Sequence, residues 1–302
     1  MRKTLFTVAT LALLLVRPVF AEVPPVAVSI KPLHGLVAMV MQGVGEPALI
    51  VAGNASPHSY ALKPSDARAL AKARLVVWVG PRFEGFLAKP LKGRQDTLAI
   101  TAVPGMTLLE GREGGVWEVH HDGAAHHHDD ETDGHLWLDP DNAARLVAAV
   151  AERLATLDPA HASAYRANAE AAGARIAEVD AGLAARLKPL AGRPYVVFHD
   201  AYQYLETRYG LTPVGAITVD PDRPPSAKRM GALRDRLKGA GVTCVFREPQ
   251  FAGRTVEALA QSAGARVGVL DPEGGLVDAG PDAWVRIMTG LGDSLSECLS
   301  GG

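Results

Sequence analysis

Four residues of metal-binding type stand where an ion could use them. His199 closes the apolar run YVVFH (195–199), and Asp271 directly follows the run RVGVL (266–270). His58 lies in GNASPHSYALKPSD, a few residues after ALIV (48–51). His135 stands in DGHLWLDP, just ahead of a helix that Asp139 can cap and Pro140 can start. Neutral imidazole suits zinc, copper, iron or nickel, whereas manganese, calcium and magnesium prefer more oxygen. Three nitrogens with a carboxylate or a water would make a tetrahedral zinc site. Spacing alone leaves alternatives open. A histidine at a strand end is often held by ordinary hydrogen bonds, and Asp271 before Pro272 fits a turn as well as a ligand.

Two of these residues come from each half of the chain, and the halves read alike. In the first, the strands VAVSI (26–30), ALIV (48–51), LVVWV (75–79) and TLAI (97–100) alternate with helices expected over residues 33–41, 65–73 and 83–88. In the second, YVVFH, PVGAI (213–217), VTCVF (242–246) and RVGVL alternate with helices ending at Tyr209 and covering residues 226–239, 255–263 and 282–299. Strands separated by helices imply parallel sheets covered on both faces, with ligands collecting beyond the carboxyl ends of the strands.

Between the halves, DPAHASAYRANAEAAGARIAEVDAGLAARLKPL (158–190) carries Tyr165, Ala169, Ala172, Ile176, Val179, Leu183 and Leu187 at helical spacing. Asp158 can cap this run, Pro159 can start it, and Pro189 with Gly192 ends it. A helix of about 30 residues would span roughly 45 Å. A bundle or coiled-coil helix would show the same period. The fold class expected is α/β, with two doubly wound lobes, each with a roughly four-stranded parallel sheet, joined by one long rigid helix. The lobes fall at residues 22–157 and 191–302.

Residues 1–21 hold Arg2 and Lys3, an apolar core from Leu5 to Val16, and the small residues Val19 and Ala21, the pattern of a secretory signal cut near Ala21. The run is short for a membrane span, and no second long apolar run suggests an anchor. The formal charge is −2, and loss of the three basic residues of the leader makes it −5. Mild acidity gives no support for nucleic acid or an anionic membrane as partner. Cys244 and Cys298 are the only cysteines. In an oxidising compartment an even pair suggests a disulfide, with two free buried thiols as the alternative. Closing a loop of about 55 residues would contribute about 4 kcal/mol.

The stretches GNASPHSYALKPSDARALAKARLVVWVGP, HLWLDP, VVFHDAYQYLETRYGLTP and CVFREPQF, in that order, resemble the periplasmic zinc-binding proteins of bacterial high-affinity zinc ABC transporters. The similarity runs from Val26 to Leu299. It implies two α/β lobes bridged by a rigid helix, with the metal in the cleft between them. The family's metal histidines carry over to His58, His135 and His199, and Asp271 matches a carboxylate that ligates in many relatives. Manganese-selective relatives have a glutamate at the position of His199, so the resemblance favours zinc. Zinc members also pair two cysteines in the second lobe, matching Cys244 and Cys298.

The fragment 111–134 has no apolar period and is dense in Gly, His and acids, so it reads as a mobile loop. A histidine-rich loop here is a feature of the zinc members. His120, His121, His126, His127 and His128 could form weaker accessory metal sites, or the segment could be a solvated acidic loop with incidental metal affinity.

The expected function is a periplasmic binding protein that captures Zn(II) and delivers it to a membrane permease, acting as a monomer. Alternatives within the class are a manganese or ferrous iron receptor and a zinc buffer without transport. A zinc hydrolase is the rival from another class, because three histidines with an open position can activate water. The chain shows no H-E-x-x-H, G-x-S-x-G or phosphate-loop motif. Its tempting acids, Glu206 and Glu248, read as ordinary helix or loop carboxylates.

Overall fold

Apolar runs of two to six residues, too short for buried helices, pair in parallel and leave their polar ends for loops. The computed structural model describes residues 22–112, 132–219, 221 and 225–301. The first half runs β1 (Val26–Val28), α1 (Lys31–Met41), β2 (Ala48–Leu49), α2 (Pro64–Lys72), β3 (Leu75–Trp78), α3 (Gly85–Leu91) and β4 (Thr97–Ala99). Its sheet has the order β2-β1-β3-β4, all parallel. Then come α4 (Pro140–Leu157) and α5 (Ala162–Leu187). The second half runs β5 (Tyr195–His199), α6 (Gln203–Tyr209), β6 (Pro213–Thr218), α7 (Ala227–Ala240), β7 (Cys244–Arg247), α8 (Arg254–Ala263), β8 (Arg266–Val269) and α9 (Ala283–Ser300). Its sheet repeats the first in the order β6-β5-β7-β8.

The bridging run is helical from Pro159 to Leu190. It is a 26-residue α-helix with a 3-10 turn at each end, Pro159–His161 and Lys188–Leu190. Tyr165, Ala172, Ile176, Val179, Leu183 and Leu187 are buried, as their spacing predicts. Asp158 departs from the expected cap. Its carboxylate accepts from Tyr165 Oη (2.9 Å) and His161 Nδ1 (2.7 Å), because the tight first turn closes on its backbone carbonyl instead. Asp139 does cap α4, accepting from Asp141 N at 2.8 Å, with Pro140 in the first turn.

The helix α5 packs against α1 and α4 from the first half and against α9 from the second. One hydrophobic cluster therefore runs through both halves, from Val28 and Leu33 to Leu183 and Leu291. A second, containing Val196, Phe198, Ile217 and Val245, fills the other face of the second sheet. Every residue of α1 is buried, the signature of a helix covered on all sides. A Cβ on Gly35 would come within 2.7 Å of the Trp284 backbone nitrogen, so only glycine lets α1 approach the start of α9. Cys244 in β7 and Cys298 in α9 form a disulfide, with Cα atoms 6.1 Å apart.

Residues 1–21 and His120, His121, His126, His127 and His128 lie outside the described residues. The flanks of the histidine segment are described, and they meet. Glu110 and Thr132 form an antiparallel bridge, and Asp133 N donates to Leu109 O at 2.8 Å. Among the described residues no helix is long and apolar enough to cross a membrane.

Candidate metal centre

His199 is the last residue of β5, a central strand, so its side chain emerges at the carboxyl edge of the second sheet. The next strand in the sheet is β7, and Glu248 is the first residue beyond it. The two side chains consequently meet: His199 Nδ1 donates to Glu248 Oε1 at 2.7 Å. Tyr202 Oη donates to the same oxygen at 3.1 Å. With the proton on Nδ1, the lone pair of His199 Nε2 is left for the site.

His135 is fixed in the same way from the other half. It precedes a 3-10 turn, Leu136–Leu138, that leads into α4. Asp133 Oδ1 accepts from both the backbone N–H (3.0 Å) and the ring Nδ1 (2.7 Å) of His135, so Nε2 again faces inward. Trp137 Nε1 donates to Pro272 O (3.0 Å) and Trp284 Nε1 to Trp137 O (2.9 Å), which seats this turn against the second half.

His58 comes from the loop between β2 and α2 and is the most accessible of the three. Phe83 stands edge-on to both His58 and His135, with ring centroids 4.7 and 5.1 Å away. A Cβ on Gly134 would lie 2.4 Å from the Phe83 ring, so glycine is required beside His135.

The donor nitrogens of His58, His135 and His199 all lie within 4.8 Å of one another, and the Nε2 atoms of His135 and His199 are 3.2 Å apart. Burial holds the His58 ring well below its ordinary pKa, and the His199 and His135 rings push the same way. Burial also opposes charge on His199, but Glu248, helped by Asp200 and Asp133, outweighs it and the net shift is upward from 6.5. Three converging imidazoles, two of them backed by carboxylates, can hold a divalent cation of borderline softness.

Asp271 is not brought into this group. Its Oδ1 accepts from Gln250 Nε2 (2.8 Å) and Gly275 N (2.9 Å), and its Oδ2 from Leu276 N (2.9 Å), an arrangement that holds the turn after β8. Glu248, read from sequence as an ordinary loop carboxylate, is only 2% exposed and orients a histidine. The signal that could have found it is its place two residues past the expected strand VTCVF (242–246), at the carboxyl ends of the strands where His199 also stands. Glu206 is also buried, with its carboxyl pushed up to about 7, chiefly by burial. Asp133 and Arg112 carried no readable signal, since both sit at the edges of the irregular segment. Arg112 crosses to the second half and binds Asp200 and, at 2.8 Å, Glu206. A cavity of about 210 Å³ opens beside the histidines, lined by His58, Phe83, Arg112, Asp133, His135 and Asp200 among others.

The family described as "Zinc-uptake complex component A periplasmic" matches residues 26–298 of this chain. The chain belongs to this family. Among its curated relatives, the high-affinity zinc uptake system protein ZnuA of Brucella suis is 43% identical over 305 aligned residues, covering 91% of each chain. A crystal structure of ZnuA is similar to the present one with a TM-score of 0.76 and 28% identity, over 92% of this chain and 99% of that one. A zinc-bound ZnuA lacking residues 138–173 of its own chain gives 0.77 at 28% identity, over 93% and 100%. Both sheets and the connecting helix thus belong to the ZnuA-like architecture, and the histidine cluster lies within the matched span.

Proposed function

We propose that the protein is a periplasmic zinc receptor that captures Zn²⁺ on His58, His135 and His199 and passes it to a membrane permease of the ABC class. The observation that carries this reading is the convergence of three imidazole nitrogens, two of them oriented by the buried carboxylates of Asp133 and Glu248. Nitrogen donors favour zinc over manganese, whose sites are richer in oxygen. Neutral ligands leave the dication's charge to the two carboxylates behind them, so the charges balance without a charged atom in direct contact. Capture and release require no covalent chemistry.

On this reading a water completes the coordination, because Asp271 is held in its turn by Gln250, Gly275 and Leu276. The chain is exported after cleavage near Ala21 and works as a monomer, since one receptor carries one complete site. The histidines of segment 111–134 act as accessory binders.

The deciding experiment strips the mature, untagged chain with chelator and titrates zinc against a competing chelator. One tight site is expected, retained when residues 118–130 are deleted and lost in His58→Ala and His199→Ala. Tight binding that disappears with the loop and survives the histidine variants would make the protein a zinc buffer of the histidine tract. Asp271→Asn separates the remaining question: unchanged affinity leaves the fourth position to water.

A further inference from the structure

Two of the three histidines are held by their rings, and the third is held by its loop. Asp133 and Glu248 accept from Nδ1 of His135 and His199, whereas among the described residues no hydrogen bond reaches the His58 ring. That ring lies against Phe83 and the other two imidazoles. Where His58 stands therefore depends on what fixes the backbone before it. Four and five residues upstream, the foot of its loop is fastened to the second half at two points. Lys31, only 6% exposed at the start of α1, donates from Nζ to Gly53 O (3.3 Å) and to Gly274 O, so one ammonium ties the loop to the turn after β8. Asn54 Nδ2 donates to Pro249 O at 2.9 Å, one residue beyond the carboxylate that orients His199. The Asn54 amide also lies directly on Gly275, where a Cβ would come within 1.9 Å of Asn54 Oδ1. The receiving turn is itself held, because Asp271 Oδ1 accepts from Gly275 N and Gln250 Nε2.

We infer that Lys31, Asn54 and Gly275 form a clasp between the two halves that presents His58 to the metal and sets how long zinc stays. The inference rests on the receptor reading above. With the foot fastened, only the few residues from Ala55 to His58 remain to be ordered. With it loose, the whole loop between β2 and α2 must be ordered at the expense of zinc affinity, which is the general cost of poor preorganisation. The first bonds of an arriving ion can still form to His135 and His199, whose rings are fixed by their carboxylates. Capture is then little changed and release quickens, the usual way in which affinity is tuned. Lys31 and Asn54 are thus positioning residues that act on the metal through His58.

Three variants open the clasp. Gly275→Ala puts a methyl group where the Asn54 amide lies, and because the atom in its way is the tip of an exposed side chain, the amide is displaced and the turn survives. Asn54→Ala removes the amide, and Lys31→Met removes the ammonium. Nuclear magnetic resonance of the metal-free protein carrying labelled histidine reads the site directly, with the His58 ring signal assigned by its loss in His58→Ala. Each variant should shift the His58 signal, as the ring leaves the edge of Phe83, while the signals of His135 and His199 stay in place. Zinc transfer from the loaded protein to excess chelator should be about tenfold faster in Asn54→Ala and in Gly275→Ala, the lower end of what losing the support of a ligand costs. The rate of zinc uptake should stay within about twofold. Gly275→Ala added to Asn54→Ala should change release by less than about twofold, because the methyl group then meets no amide.

An unmoved His58 signal in Asn54→Ala and Gly275→Ala overturns the inference, and these two variants decide it even where Lys31→Met does not fold. An equal shift of all three histidines also overturns it, since the contacts would then be a general tie between the halves. Release rates that match the parent, or that multiply in the Asn54→Ala, Gly275→Ala double variant, overturn it as well. A parent protein that holds no zinc on its histidines overturns the receptor reading, while the metal-free spectra still report the clasp, which keeps the two failures distinct.

Discussion

His199 and His58 meet acid differently, and their neighbours are the reason. The His58 ring is kept neutral by burial and by two nearby imidazoles, whereas His199 holds its proton to higher pH because Glu248 lies against Nδ1. Of these two, His199 is the one that takes up a proton first on acidification, and zinc must then displace it. Above the raised pKa of His199 the ring is neutral and zinc displaces nothing. Below it each binding event releases a proton, so affinity falls with pH. Glu248→Gln removes the anion that raises this pKa, so the acid limb of a zinc titration should move to lower pH. Affinity at pH 8 should meanwhile drop about 10- to 100-fold, the usual effect of losing a carboxylate behind a ligating histidine. Competitive titrations across a pH series read both effects, and an unmoved acid limb would remove Glu248 from the account. The three histidines were legible because strand ends and cap signals surround them. Asp133 was not, since an acid in a Gly- and His-rich stretch looks the same whether it is solvated or backs a ring.

At the scale of elements, apolar runs located the eight strands of the described residues, most plainly the central β1, β3, β5 and β7, because central parallel strands bury both faces and leave continuous apolar runs. Helix ends were less legible where a side chain had a better partner than the backbone. Asp158 prefers the Tyr165 hydroxyl, and Lys31 enters the all-buried helix α1 while donating to the carbonyls of Gly53 and Gly274 from opposite halves. The helix α9 is tied to its sheet by the disulfide across 54 residues and to α1 by the close approach at Gly35. Cys244→Ser with Cys298→Ser should cost about 4 kcal/mol, which for a chain of this size lowers Tm by roughly 8 °C. Thermal melts with and without reductant measure it, and the effect should vanish in the double variant. Gly35→Ala presses a methyl group into the Trp284 backbone and should destabilise by about 1–3 kcal/mol in denaturant titrations.

For the whole molecule, the connecting helix is less a free strut than a shared wall. Because α5 packs on α1, α4 and α9, a wide hinge opening would tear a hydrophobic cluster common to both halves. Zinc binding should accordingly rearrange loops and side chains near His58 and Arg112 while the sheets keep their relation. Small-angle scattering of stripped and zinc-loaded protein should give superimposable profiles, and a clear change in overall dimensions would refute that. Parallel lobes and a long joining helix followed from the order of apolar runs alone. The single continuous core did not, because which faces of α1 and α5 meet α9 is decided by contacts between residues more than a hundred positions apart.

The bridge between Glu110 and Thr132, reinforced by Asp133 N on Leu109 O, pins the two flanks of the histidine segment side by side. Closing a loop costs free energy that rises only slowly with its length once its ends are held. The segment is thus a cassette with fixed splice points: it can lengthen, shorten or change composition without altering how His135 is presented. On the accessory role proposed for its histidines, scavenging capacity and core affinity are separately adjustable traits, and lineages facing different zinc supply can retune the first while leaving the second untouched.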